Sequence, residues 1–289
     1  MINPNIDNGR MDEINTDWAS GQQSEFVVKN KRANLKIIPY IGCKAGFKDI
    51  FDKIIPDNLA CRIYDIFGGG GAFSLYACNR FGSHRVTYND NNPIVVNLIR
   101  HVQTSPMRLW ELYNEHYNNS STEYYYQVRN LCLENGVEGA ANFLYLAKNA
   151  FSGKIRFNSI NKFNSPIRKG SSCPKVNLDS LLNLSKTLQN LTIMNEDYKE
   201  FACVDNSFLY LDPPYFNNTN GHYNGVLDLG EFNQFLRTIE LRNKVVLSEQ
   251  NHPNIFDLPE SYTVRAITLM RSLQYFTENK SREMIAFNY

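Results

Sequence analysis

Cys61-Arg62-Ile63-Tyr64-Asp65-Ile66-Phe67-Gly68-Gly69-Gly70-Gly71-Ala72-Phe73-Ser74-Leu75-Tyr76-Ala77 is the stretch on which the fold turns. Residues 61–67 read as a strand, a short apolar run closed by a turn signal. The four glycines lack a Cβ, so the backbone there can approach a ligand closely. Ala72 to Ala77 then read as a helix. Strand, glycine turn and helix in that order make the layout of a nucleotide-type cofactor site in a parallel α/β sheet. No Gly-Lys-Ser/Thr follows, which excludes a triphosphate loop. NAD, FAD and S-adenosylmethionine all use such turns, so the stretch alone selects none of them. A tight turn with only a structural role is the alternative.

Working outward, Arg85 to Tyr88 read as a second strand, and Ile94 to Ile99 as the helix after it. Between them Asp90 stands roughly 20 residues past the glycines, where a carboxylate can accept both ribose hydroxyls. Capping the following helix is its competing role. Upstream, Tyr40-Ile41-Gly42-Cys43-Lys44 precedes a helical face of Phe47, Ile50, Phe51, Ile54 and Ile55. A lysine at a helix entrance can receive an anion. Downstream, Leu191 to Met194 read as a strand with Asp197 just beyond it.

In Asn206-Ser207-Phe208-Leu209-Tyr210-Leu211-Asp212-Pro213-Pro214-Tyr215, Phe208 to Leu211 read as a buried strand that stops on a stiff turn. Proline donates no ladder hydrogen bond and fixes its own φ. Asp212 and Tyr215 are thereby left at the carboxyl end of a strand, where open α/β sheets bind ligands. Helix 229–241 and strands at 244–248, 263–269 and 284–287 complete the pattern, and the polar loop 217–225 reads as a lid or a long connection.

The 289 residues suit one large α/β domain or a domain plus an insertion, and 43% apolar content suits a sizeable core. Net charge is +1, so any nucleic-acid footprint must be local. The local candidate is 139–178, which holds no acid but has Lys148, Lys154, Arg156, Lys162, Arg168, Lys169 and Lys175 among aromatic residues, and which reads as a phosphate-contacting stretch or as a plain basic surface face. Six scattered cysteines without a Cys-x-x-Cys pair argue against zinc and against a disulfide framework, and suggest mostly buried cytosolic thiols. No metal is expected. No apolar run reaches membrane length, and the start lacks a signal-peptide core, so a cytoplasmic protein is expected. Residues 1–30, polar and acidic, read as a poorly ordered arm.

Together these residues resemble the Dam-like, alpha-group DNA adenine-N6 methyltransferases. The matching features, in order, are Tyr40 to Lys44, Asp65-Ile66-Phe67-Gly68-Gly69-Gly70, Asp90, Asp197, and Asp212-Pro213-Pro214-Tyr215. Phe151 to Asn158 is similar to that group's recognition hairpin, and Arg282 to Asn288 to its last strand. Ile66 stands where the family usually has proline, Tyr40 where tryptophan is frequent, and Cys43 where glycine or serine is found.

The resemblance implies a Rossmann-like S-adenosylmethionine-dependent methyltransferase sheet, formed by 31–104 and 191–289. It implies an inserted, mainly helical target-recognition domain at 105–190 carrying a basic hairpin. Tyr40, Lys44, Asp65, Phe67, Gly68, Gly70, Asp90, Asp197 and Asp212 would hold S-adenosyl-L-methionine. Asp212, Pro213 and Tyr215 would be catalytic. Lys154, Arg156, Asn158, Arg168 and Lys169 would meet double-stranded DNA. The expected protein is a monomer, nucleoid-associated through DNA, and a cognate restriction endonuclease is a partner to look for. The alternatives are an RNA methyltransferase, since some rRNA guanine enzymes carry Asp-Pro-Pro-Tyr/Phe, and a catalytically silent nucleic-acid-binding relative.

Overall fold

The computed structural model describes residues 13–15, 24–29, 44, 46–158, 160–170, 172–214, 227–250, 258–270 and 281–289, with the backbone alone for 13–15, 24–29, 250, 268–270 and 281–282. In chain order the strands are β1 (Glu13–Asn15), β2 (Ser24–Lys29), β3 (Ile63–Asp65), β4 (Val86–Asn89), β5 (Thr192–Met194), β6 (Phe208–Leu211), β7 (Lys244–Gln250), β8 (Thr263–Met270) and β9 (Ser281–Phe287). The helices are α1 (Lys48–Ile54), α2 (Ala72–Phe81), α3 (Pro93–Thr104), α4 (Pro106–Asn118), α5 (Thr122–Val128), α6 (Gly136–Asn149), α7 (Leu178–Leu188) and α8 (Leu229–Glu240).

These strands form one sheet in the order β1-β2-β8-β9-β7-β6-β3-β4-β5. Strands β5, β4, β3, β6 and β7 run parallel, and β9 is antiparallel to both its neighbours. The chain builds outward from β3 to β4 and β5, then returns to place β6 on the other side of β3. The β3–β6 junction is therefore the topological switch point, where such sheets open a crevice at their carboxyl ends. Phe208 to Leu211 are all buried, as a strand covered on both faces must be.

Alternation along β6 divides the core in two. Phe208 and Tyr210 pack with α1, α2 and α3 on one face, while Leu209 and Leu211 pack with α8 and the 3-10 turn Tyr198–Cys203 on the other. On the first face Tyr210 stacks on Phe73 at 4.1 Å, and meets Phe51 edge-on.

Residues 105–190 are mainly helical, holding α4 to α7. Their core residues Leu109, Tyr113, Tyr125 and Phe143 are continuous with those of the sheet's first face. Past α6 the chain turns back as an irregular hairpin, bridged at Ala150–Ile167 and Phe157–Phe163.

Two expectations are corrected. Residues 13–15 and 24–29, inside the arm expected to be poorly ordered, form β1 and β2, and β2 pairs with β8 over Glu25–Lys29. The Phe26-Val27-Val28 triplet supplies β-forming residues that the polar average conceals. Among the described residues the cysteines are not mostly buried. Cys132 and Cys203 are exposed, Cys61 and Cys173 are half-buried, and Cys78 is buried; all five are free. Among the described residues no helix is long and apolar enough to cross a membrane.

Candidate active site

The glycine turn is fixed by its neighbours. Gly68 N–H donates to the Asn89 carbonyl at 2.7 Å, and a Cβ on Gly68 would sit 2.2 Å from Tyr88 Cε2. Only glycine fits so close an approach. Gly71 adopts φ 73° at the start of α2, a region costly for residues with a Cβ. Asn89 joins three elements, since Nδ2 donates to the carbonyls of Ile66 and Glu196 and Oδ1 accepts from Glu196 N–H. Gly70, also expected to face a cofactor, is buried within the turn.

Asp90 does not cap α3. Asn92 does, accepting from Ile94 N–H, while Asp90 accepts from Gly69 N–H and Asn92 N–H at 2.8 Å each. Asp90 thus ties the second strand's exit to the glycine turn. Burial raises its carboxyl above the usual range, against the pull of those two donors.

Asp65 is fully buried at the end of β3, and its Oδ2 accepts from Ser74 N–H at 3.0 Å and Ser74 Oγ at 2.7 Å. Burial pushes it up to about 7, opposed by Ser74 and aided by the charges of Asp212 and Asp90. Phe67 packs against Tyr198 and Phe232 beside the turn. Asp197 is exposed and accepts from Lys199 N–H at 2.9 Å, capping the 3-10 turn.

At the carboxyl end of β6, Asp212 Oδ1 meets Lys44 Nζ at 2.7 Å, with Lys44 only 3% exposed and the Asp212 side chain 18% exposed. Lys44 also lies 3.6 Å from Glu283 Oε2 on β9. Burial pushes Asp212 up to about 6; Lys44 opposes the rise and Glu283 adds to it. Pro213 is buried directly behind it. Period-2 alternation explains the convergence. Asp65 follows Ile63, Asp212 follows Tyr210, and Glu283 precedes Ile285, each two residues along from a side chain in the first-face core.

Glu283 was not among the residues singled out from the sequence. Its signal was an acid set in a strand whose next residues, Met284, Ile285 and Ala286, are all buried. Tyr40 and Tyr215, and the loop 217–225, lie outside the described residues.

The basic hairpin alternates as a half-buried ladder does. Ile155, Phe157 and Phe163 point inward against Phe143, while Lys154 is exposed and Arg156 half-exposed. Lys169 is exposed just past the ladder, and Arg168 donates to the Ser172 carbonyl. Asn158 Oδ1 accepts from Ile160 N–H at 3.1 Å and Lys162 N–H at 2.8 Å, closing the tip as an Asx turn. One polar end of Asn158 is therefore spent on the hairpin itself.

A carboxylate and a proline turn at the switch point, a glycine turn beside it and a basic hairpin on an insertion are the parts of a group-transfer site acting on a nucleic acid. Residues 40–273 match the family model of D12 class N6 adenine-specific DNA methyltransferases.

The chain belongs to this family.

It is an adenine-specific DNA methyltransferase, on a mixed α/β sheet of the S-adenosylmethionine-dependent methyltransferase type. It is 30% identical to a Type II methyltransferase of Lactococcus lactis subsp. cremoris over 197 residues, covering 65% of this chain and 68% of that protein. It is 26% identical to a Type II methyltransferase of Methanocaldococcus jannaschii, covering 88% of this chain and 100% of that protein. A DNA adenine methylase of Haemophilus influenzae is 25% identical, over 90% of this chain and 95% of its own length.

Proposed function

We propose that this D12 methyltransferase takes its methyl group from S-adenosyl-L-methionine and places it on N6 of an adenine turned out of duplex DNA at a specific sequence. The observation that carries this reading is the charge of the crevice. Asp212 and Glu283 lie 2.7 Å and 3.6 Å from the Lys44 ammonium, and the buried Asp65 lies close enough to feel the charge of Asp212. Carboxylates gathered at a crevice favour a cationic occupant. The sulfonium and α-ammonium of S-adenosylmethionine meet that need, whereas a dinucleotide would bring anionic phosphates.

Residues of this chain divide the work. Asp65, Phe67, Gly68 and Gly70 would hold the methionine part, Asp90 the ribose and Asp197 the adenine ring, with Tyr40 and Lys44 flanking. When bound, the cofactor supplies a methyl group activated on sulfonium. The amino nitrogen of adenine is a weak nucleophile, because its lone pair is delocalised into the ring. Asp212 accepts one of its hydrogens and the Pro213 carbonyl the other, which favours a tetrahedral nitrogen with its lone pair free. Asp212 then takes the proton that N6 gives up. Positioning of this kind supplies much of the rate. Extruding the base costs a few kcal/mol, and Tyr215 stacked on it would return about 1–3 kcal/mol.

Residues 105–190 form the target-recognition part in this reading, with Lys154, Arg156, Arg168 and Lys169 on phosphates. Asn158 shapes the hairpin tip. The names of the Type II relatives support a cognate restriction endonuclease. A labelled-methyl assay tests the proposal, comparing adenine-containing duplex DNA with rRNA. Label in N6-methyladenine of DNA is expected, and label in rRNA alone would overturn it. Asp212→Ala should retain cofactor binding and lose nearly all transfer.

A further inference from the structure

We infer that Glu283 is a positioning residue for methyl transfer, sharing the Lys44 ammonium with Asp212 and so keeping the Asp212 carboxylate a strong hydrogen acceptor. The inference rests on the reading of Asp212 as the acceptor of an N6 hydrogen. Its geometry is independent of that reading. Lys44 Nζ is 2.7 Å from Asp212 Oδ1 and 3.6 Å from Glu283 Oε2, and Lys44 and Glu283 are both buried. Glu283 reaches this point because β9 inserts antiparallel between β7 and β8. It faces Ile267 on β8 and Gln250 on β7.

A lysine paired to one carboxylate lowers that acid's basicity. A second carboxylate on the same ammonium takes back part of the effect. Proton transfer is most efficient when the acceptor titrates near the working pH. Asp212, pushed up to about 6, is close to that condition, and the charge of Glu283 contributes to the rise. The other groups facing Asp212 do not duplicate the role. Asp65 on β3 is held by Ser74, Asp90 just past β4 by the glycine turn, and Tyr210 on β6 is a buried neutral phenol. Lys48 and Asp52 on α1 pair with each other at 2.5 Å. Arg265 on β8, two pairs along from Glu283, donates to the Val264 carbonyl. Glu249 on β7 pairs in register with Met284 and so points to the opposite face of the sheet.

Glu283→Gln keeps the size and removes the charge. With saturating DNA and methyl donor, kcat is expected to fall roughly 3- to 10-fold with KM for DNA unchanged, as a weaker base gives. The acidic limb of the kcat–pH profile should move to lower pH, because the Glu283 charge that raises the Asp212 carboxyl is then gone. Glu283→Asp, which draws the carboxylate back by one methylene, should move the limb the same way by less. It serves as the test if the glutamine variant does not fold. A limb that stays in place, or moves up, in a folded variant overturns the inference, whatever its activity. Asp212→Asn separates the two readings. If it keeps wild-type turnover, the role of Asp212 fails. If it is inactive while the limb of Glu283→Gln does not move, only the role of Glu283 fails.

Discussion

The Lys44 ammonium lies 2.7 Å from the Asp212 carboxylate, although 168 positions separate them in the chain. The contact joins the segment before α1 to the end of β6, across the switch point of the sheet. It stabilises the charged form of an acid that burial would otherwise neutralise. The ionised form is the one that accepts a hydrogen from N6, so activity should rise as pH passes about 6. Removing the ammonium in Lys44→Met moves that limb to higher pH. Turnover at saturating donor should drop roughly tenfold or more at pH 6.5, and by less at pH 8.5, since each unit is a factor of ten. This is opposite in direction to the change expected for Glu283→Gln. A loss equal at both pH values would show that Lys44 acts only in binding.

Asp65 gives the fold itself a pH dependence. Its carboxyl is raised to about 7 in the folded chain, chiefly by burial, from an unfolded value near 4. Between these values the folded state holds a proton that the unfolded state has lost. Stability from this group is therefore full below about pH 4 and declines as pH rises through about 7. Asp65→Asn still offers an acceptor to Ser74 but carries no charge. Urea unfolding from pH 5 to 8 should show a fall in stability for the wild type that is reduced in the variant. Identical slopes would mean that Asp65 does not hold its proton over that range.

Much of this architecture was legible because buried parallel strands leave apolar runs with sharp ends. Strand β6 spans Phe208–Leu211 in the fold as in the reading of the sequence, since Asp212 and Pro213 can only end it. Contacts between ends of different strands were not legible. Nothing near Asp90 announces that its carboxylate holds Gly69 N–H, and nothing near Glu283 announces Lys44. Asn158 shows a different limit. An asparagine among bases reads equally as a base-contacting residue or as one folded onto its own backbone, and only the hairpin geometry reveals its Asx turn. The strand β2 was hidden because a three-residue apolar core is outvoted by its polar surroundings.

Gly68→Ala tests whether the turn is held by close approach. The added methyl would fall 2.2 Å from Tyr88 Cε2 and 2.9 Å from the Asn89 carbonyl oxygen. Tyr88 is fully buried and its hydroxyl donates to the Gly69 carbonyl at 2.9 Å, so it cannot swing aside freely. A loss of about 1–3 kcal/mol is expected, as for other overpacked sites, with weakened cofactor binding. Thermal melting with and without S-adenosylmethionine measures both. An unchanged melting temperature would mean that Tyr88 and the turn are more adaptable than their packing indicates.

The hairpin makes the last prediction, because its residues have separable roles. Lys154 and Lys169 are exposed. If they neutralise phosphates, each alanine variant should lower the slope of log affinity against log salt by about 0.9, with equal weakening on specific and unrelated duplexes. Arg168 already donates to the Ser172 carbonyl, so its alanine variant should also loosen the segment after the ladder. Asn158→Ala should behave differently again. It removes the acceptor of two backbone N–H groups at the tip while leaving the charge untouched. Its salt slope should therefore match the wild type, whereas discrimination between cognate and unrelated DNA should decline. Salt titrations of the four variants, on two duplexes each, distinguish a charged contact from a shape-holding one. A lower salt slope for Asn158→Ala would assign the tip's geometry to phosphate contact rather than to recognition.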